Sequence, residues 1–156
     1  MRRKEREITD PEKIRSIILS CGCCRLGLAD GDSAYIVPLN FGYEEQQGRS
    51  FFYFHGAPEG RKLDLIRRNR RAGFELDCGH ELVPGSSACQ YTMKYQSVIG
   101  TGKVFFLSDP DQKRRALSVI MEHYSPGQEW NFPDEALRHV CVFCLEVETI
   151  SCKEHR

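Results

Sequence analysis

The sequence predicts a mainly β protein in which one antiparallel sheet curls into a barrel, with helices at its flanks. Apolar segments of strand length are joined by short turns such as Asp30-Gly31-Asp32 and Gln46-Gln47-Gly48, and such turns connect antiparallel neighbours. Pro38 in one predicted strand, and Gly100 and Gly102 in another, indicate bulges or bends that curve a sheet. The 156 residues are expected to form a single domain, residues 1–156.

The first predicted element is a helix over residues 10–21. Asp10 can cap it, Pro11 suits its first turn, and apolar residues at helical spacing mark one face. Aromatic or apolar segments predict six strands, at Leu26–Ala29, Ala34–Tyr43, Ser50–His55, Ala72–Cys78, Tyr95–Leu107 and Val140–Ile150. Two further helices are predicted, after Gly60 and after Asp109. The segment Gly79–Ala88 is predicted to be a surface loop, and residues 125–138 are predicted to be irregular.

The charges give no reason to expect a nucleic acid or a membrane as a partner. Lysine and arginine together number 22, as do aspartate and glutamate. The basic runs Arg2–Lys4 and Arg67–Arg71 are typical of a solvated tail and a solvated helix end. No signal peptide is visible at the charged N-terminus, and no apolar run approaches the roughly 18 residues that cross a bilayer. The sequence therefore indicates a cytoplasmic protein.

The eight cysteines raise the question of a metal site. Cys141 and Cys144 have the CxxC spacing of zinc ligands, but they lie in a predicted strand, where residues three apart point to opposite faces. The two thiols are therefore not expected to bind one ion, and no metal ligand is assigned. Disulfides are not expected without a secretory signal, so the cysteines are interpreted mainly as small apolar core residues.

Candidate chemistry lies between the third predicted strand and the following helix. A loop bounded by Gly56 and Gly60 leads into a helix that begins with Arg61 and Lys62. Glycines allow backbone N–H groups to converge on a ligand, and a helix start adds free N–H donors and a positive partial charge. The pattern indicates a phosphate site; a plain loop with solvated basic residues is the alternative. It is not a P-loop, because leucine stands where a hydroxyl would bind magnesium.

Three motifs occur in order along the chain: Tyr35–Tyr43 (YIVPLNFGY), Tyr53–Ala57 (YFHGA) with Gly60 and Lys62, and Met93–Gly102 (MKYQSVIGTG). Together they resemble the Nim-type (nitroimidazole-resistance) members of the pyridoxamine-phosphate-oxidase-like family of FMN-binding split barrels. The resemblance covers most of the chain. It implies an antiparallel split β-barrel, FMN as the cofactor, and a homodimer with the flavin at the subunit interface.

The resemblance also implies which residues surround the flavin. Backbone groups of Val37, Pro38, Leu39 and Asn40 would meet the edge of the flavin ring. Phe54 and His55 would border the ring and the ribityl chain, and Gly60, Arg61 and Lys62 would bind the phosphate. From a neighbouring strand, Tyr95, Gln96 and Ser97 would reach the phosphate or the ribityl chain. Trp130 or Phe132 of the second subunit would close the site.

His55 is the candidate catalytic residue, because an imidazole beside flavin and substrate can donate a hydrogen bond or a proton near neutral pH; a packing role is the alternative. The expected activity is FMN-dependent reduction of a small nitro or quinone-like aromatic compound. The alternatives are a flavin carrier or sensor without turnover, and a split barrel that binds a deazaflavin or heme. Vitamin B6 oxidation is not expected, because Ser151–Arg156 does not match the substrate-phosphate residues of true pyridoxamine-phosphate oxidases.

Overall fold

The computed structural model describes residues 3–156. Met1 and Arg2 lie outside the described residues, and Arg2 is the first residue of the basic run Arg2–Lys4. The helices are α1 (Pro11–Ser20), α2 (Arg61–Asn69), α3 (Pro110–Tyr124) and α4 (Asp134–Arg138). The strands are β1 (Glu7–Ile8), β2 (Cys24–Asp30), β3 (Ser33–Leu39), β4 (Gly42–Gln46), β5 (Arg49–Gly56), β6 (Arg71–Val83), β7 (Thr92–Leu107) and β8 (Cys141–His155).

All strands belong to one antiparallel sheet that closes on itself except along one seam. The strand order is β3-β2-β6-β7-β8-β5-β4, and β1 pairs with β8. Strands β3 and β4 lie at opposite ends of this order, yet only Asn40 and Phe41 separate them in the chain. Leu39 and Gly42 can therefore be no more than about 11 Å apart, so the sheet must curl until its ends meet. No ladder joins β3 to β5 in residues 3–156, and this is the split of the predicted split barrel, which is confirmed.

The alternation of side chains along β5 builds two apolar cores. Phe52 and Phe54 are fully buried inside the barrel, and the ring centroids of Phe54 and Phe143 are 5.4 Å apart. Phe51 and Tyr53 point the other way, into a second cluster beneath α3 and α4. Both faces of this strand are covered, while α1 and α2 bury their apolar faces on the barrel core.

The prediction of one strand over Ala34–Tyr43 is wrong, because the chain bends at Asn40-Phe41. The ring of Phe41 is fully buried, and its backbone N–H donates to the Tyr124 hydroxyl at 3.2 Å. A Cβ at Gly42 would lie 2.6 Å from the backbone nitrogen of Ile120. Close packing against α3 therefore ends β3 and starts β4.

Two other segments also differ from the predictions. Strand β6 continues to Val83 after a register shift between Cys78 and Glu81, so much of Gly79–Ala88 belongs to a two-stranded arm with β7 and not to a loop. The segment 125–138 contains α4. Helix α1 occupies Pro11–Ser20, and the Asp10 side chain caps it by accepting the Glu12 N–H at 3.1 Å. No helix in the described part of the chain is long and apolar enough to cross a membrane.

Candidate functional site

The seam brings the motif on β3 next to the motif on β5 and α2. Strand β4 pairs with β5 as far as Gly42 opposite Tyr53, and continuing this register by two residues places Asn40 across from His55. Within the described chain β3 pairs only with β2, so the N–H and C=O groups along its other edge have no strand partner. The seam therefore presents backbone donors and acceptors beside the start of α2.

The start of α2 has the form of an anion site. Gly60 precedes the helix with φ +133° and gives it no side-chain cap, a conformation that glycine adopts readily. Its carbonyl accepts the N–H groups of Leu63 at 2.9 Å and Asp64 at 3.2 Å. The backbone N–H groups of Arg61 and Lys62 have no hydrogen-bond acceptor among residues 3–156, and free donors of this kind bind anions.

The Lys62 ammonium lies against the backbone at Gly56. A Cβ at Gly56 would be 2.8 Å from Nζ and 3.0 Å from Cε of Lys62, so only glycine leaves room for the lysine there. In the part of the chain that the structure describes, the ion pairs of α2 are Arg61–Asp30 and Arg67–Asp64. The Lys62 ammonium thus has no carboxylate partner among these residues, and the two free N–H donors are those of Lys62 itself and of Arg61.

The Arg61 side chain contacts the β2–β3 hairpin. Its Nε donates to the Asp30 carboxylate at 3.1 Å, and its guanidinium lies 5.0 Å from the centroid of the Tyr35 ring. The side chain therefore fastens α2 to the β2–β3 hairpin. The phosphate contact implied for Arg61 stays a prediction for its backbone N–H, whereas its side chain has another partner.

Phe54 and His55 lie on opposite faces of β5. The Phe54 ring is fully buried in the barrel core, so the contact with the flavin that the resemblance implies stays a prediction for its backbone. His55 is exposed, and its ring nitrogens make no hydrogen bond within residues 3–156. Its imidazole is therefore free to meet a ligand.

The side chains at the end of β3 also alternate between the barrel core and solvent. Val37 and Leu39 pack against the barrel core, whereas Pro38 and Asn40 are exposed. The side chains of Val37 and Leu39 are partly buried, so the flavin contacts that the resemblance implies for this edge stay predictions for its backbone groups.

Tyr95, Gln96 and Ser97 are not near Lys62 in a single chain. The Gln96 amide donates to Glu154 at 2.7 Å, and Lys13 of α1 binds the same carboxylate at 2.6 Å. Ser97 lies about ten residues before Leu107, which pairs with Val142 at the α2 side of the barrel, and ten strand residues span roughly 33 Å. Their implied contact with the phosphate or the ribityl chain therefore stays a prediction.

The structure adds Cys141 to the neighbourhood of the site. Cys141 pairs with Gly56 across β8 and β5. Burial raises the pKa of its thiol, while the positive charges of Lys113, Arg67 and Lys62 oppose that shift. Strand pairing between distant segments places it there, and no local sequence signal reports such pairing.

Cys141 and Cys144 lie on opposite faces of β8, as strand geometry predicts. Cys141 packs against the barrel core and Cys144 belongs to the cluster under α3. Phe132 also packs against that second cluster. Trp130 lies beside α3, where its indole N–H is buried without a partner in the described chain, so both aromatic residues contact their own subunit.

The curled sheet, its open seam and the helix at the seam define a split-barrel protein. Residues 10–154 match the family described as pyridoxamine 5′-phosphate oxidase. The chain belongs to this family, which confirms the predicted resemblance. No curated protein sequence matches the chain significantly.

Several solved structures share the fold. A candidate 5-nitroimidazole antibiotic resistance protein from Bacteroides thetaiotaomicron is 37% identical, with a TM-score of 0.82 over 95% of this chain and 86% of that one. The flavocytochrome Anf3 from Azotobacter vinelandii is 19% identical, with a TM-score of 0.82 over 100% of this chain and 72% of that one. A FAD and heme binding protein from Mycobacterium smegmatis is 17% identical, with a TM-score of 0.84 over 97% and 74%.

Proposed function

We propose that the protein is an FMN-dependent oxidoreductase that reduces a small nitro or quinone-like aromatic compound. The observation that carries this proposal is the Lys62 ammonium, which lies without a carboxylate partner in residues 3–156 beside the uncapped start of α2. FMN ends in a phosphate that suits such a site. The similarity to flavin-binding proteins of the same fold supports the flavin, and the 37% identical relative supports a nitro compound as the substrate.

Each part of the seam has a role in this proposal. Lys62 and the N–H groups at the start of α2 bind the phosphate, and the free edge of β3 orients the flavin ring through backbone hydrogen bonds. FMN, when bound, supplies the electron chemistry. His55, exposed next to the seam, donates a hydrogen bond or a proton to the substrate oxygen.

The test compares FMN with riboflavin, which lacks the phosphate, in titrations of the apoprotein followed by flavin fluorescence. A charge-assisted hydrogen bond contributes about 1.5–3 kcal/mol, so Lys62→Ala should weaken FMN binding by roughly 10- to 150-fold and leave riboflavin binding unchanged. Arg138→Ala, which removes an exposed positive charge at the end of α4, is the control and should bind FMN normally. Unchanged FMN affinity in Lys62→Ala would remove the phosphate assignment.

We also propose that a second copy of the chain covers the outer face of β3, β2, β6 and β7. Ile36 and Ile99 are 58% and 50% exposed on this face. One row across the strands reads Ile36, Gly27, Gly73 and Thr101, and its two glycines keep the face flat between the apolar side chains. In the next row Ile99 lies beside Glu75, which pairs with Arg25, so the face combines exposed apolar side chains with charged groups, as protein interfaces do.

The mass in solution tests this interface. The wild-type protein should be a dimer by light scattering after size-exclusion chromatography, and Ile99→Lys should be a monomer, because a lysine at the centre of the interface cannot be desolvated cheaply. Leu19→Lys, on the exposed side of α1, is the matched control and should remain a dimer. A dimeric Ile99→Lys variant would contradict the proposed interface.

A further inference from the structure

The far end of α2 forms a second pocket, which the proposed function does not use. Arg67 and Arg70, at the end of the helix, and Val104, Phe105 and Phe106, near the end of β7, line a cavity of about 290 Å³. We propose that this pocket binds the adenosine-phosphate part of a nucleotide. The proposal goes beyond the flavin site and can stand or fail without it.

The arginines supply an uncompensated positive charge for the phosphate. Arg70 adopts the left-handed conformation with φ +52° and makes no ion pair within residues 3–156. Arg67 has one ion pair, with the exposed Asp64 of the same helix. The neighbouring Arg71, in contrast, is held by Glu148. Arginine binds phosphate through paired N–H groups, so Arg70 is the main phosphate ligand that we assign.

A layered pair of side chains offers a stacking surface for the base. The guanidinium of Arg67 lies 5.6 Å from the centroid of the Phe106 ring, and Phe106 is 37% exposed. Purines stack on guanidinium planes and aromatic rings. A planar base therefore gains more in this pocket than an aliphatic anion of the same charge.

The edge of β7 adds a reason to favour adenine. Strand β6 pairs with β7 only as far as Lys103, and the last bond on this side runs from the Val104 N–H to the Arg70 carbonyl at 3.0 Å. Backbone groups alternate in direction along a strand, so the N–H and C=O of Phe106 also point to this side, away from β8. One donor beside one acceptor matches the N1 acceptor and the amino donor of adenine.

The spacing of the two sites along α2 points to a second molecule as the source. Helix α2 is nine residues long, or about 13 Å at 1.5 Å per residue, which separates the phosphate site at its start from the pocket at its end. The two phosphates of FAD share one bridging oxygen, so a single FAD cannot place one phosphate at each site. The adenosine phosphate is therefore assigned to a nicotinamide dinucleotide that serves as the reductant.

Calorimetric titration of the full-length protein with AMP tests the proposal. Arg70→Gly removes the guanidinium and relaxes the left-handed backbone, so the variant should fold normally and should bind AMP at least about tenfold more weakly, as expected when one charge-assisted contact is lost. Arg70→Lys should restore part of the affinity, and Arg138→Gly should leave it unchanged. An absence of AMP binding in the wild type, or equal affinity in Arg70→Gly, would overturn the assignment.

Competition tests this source. A nicotinamide dinucleotide should displace bound AMP while FMN stays bound, and a dinucleotide that leaves AMP in place would overturn the assignment. The Lys62→Ala variant separates this proposal from the flavin site, because it should lose FMN affinity and keep its affinity for AMP. AMP binding that disappears in Lys62→Ala and persists in Arg70→Gly would place AMP at the start of α2 and refute the second pocket.

Discussion

Replacement of Gly56 by alanine tests whether Lys62 is held where a phosphate binds. The new Cβ would lie 2.8 Å from the Lys62 ammonium, about 0.6 Å closer than the 3.4 Å at which ordinary contacts begin. The ammonium must therefore retreat, and because the end of a lysine is flexible, the fold should lose little stability. Gly56→Ala should keep the urea midpoint of the wild type and bind FMN more weakly.

The contact between Lys62 and the phosphate sets an upper limit on the loss of FMN affinity. Complete removal of a charge-assisted hydrogen bond costs about 1.5–3 kcal/mol, or roughly 10- to 150-fold in affinity. Gly56→Ala displaces the donor without removing it, and hydrogen bonds weaken steeply as their geometry departs from the optimum. The expected loss of FMN affinity is therefore roughly three- to tenfold, smaller than for Lys62→Ala.

A double-mutant cycle shows whether the effect passes through Lys62. FMN and riboflavin are titrated into the wild type, Gly56→Ala, Lys62→Ala and the double variant. In the Lys62→Ala background the alanine at position 56 should have no further effect on FMN, and riboflavin affinity should not change in any of the four proteins. An equal loss in both backgrounds would refute the reasoning, because alanine would then act on the cofactor without the lysine.

Three other variants test the bend before β4, the ion pair between Lys13 and Glu154, and the role of His55. Gly42→Ala should lower the free energy of unfolding in urea by about 1–3 kcal/mol, because its Cβ would lie 2.6 Å from the backbone of α3, whereas Gly22→Ala, with no atom within 4 Å, should be neutral. The hydrogen bond from Lys13 is the largest cause that lowers the pKa of Glu154, from 4.5 to about 2. The stability that this carboxylate contributes is present above pH 4.5 and is lost as the pH falls towards 2. The urea midpoint of Glu154→Gln should therefore vary less over that pH range than the midpoint of the wild type. His55→Ala should keep FMN affinity and reduce nitroaromatic turnover by about 10²- to 10⁴-fold; full turnover would exclude the proton donor.

The sequence predicts most strands and the Asp10 cap of α1 because these features depend on local chemistry. The bend at Asn40-Phe41 could not be predicted, because Ala34–Tyr43 has a continuous β pattern. What breaks the strand is the burial of Phe41 and the contact of Gly42 with α3, which begins 68 positions later in the chain. The position of the seam therefore depends on tertiary packing that no local pattern reports.

The same distinction applies within the candidate site. Gly60 and Lys62 could be identified because a glycine before a basic helix start is a local feature. The role of the Arg61 side chain could not, since its partner Asp30 is 31 residues away. Phe54 differs from Arg61, because strand alternation with Phe52 already places its ring inside the barrel from local pattern alone.

In the proposed dimer, Tyr95 and Ser97 of a second copy complete the site. Both residues alternate with the buried Val98 and so share the outer face of β7 with Ile99. Strand β3 lies between this face and the seam. A second copy that covers the face therefore reaches the seam and can bring its own β7 there. If so, Ile99→Lys should lose FMN affinity together with the dimer, and wild-type FMN affinity should fall on dilution below the dimer dissociation constant. A monomeric Ile99→Lys that binds FMN as tightly as the wild type would show that one chain suffices.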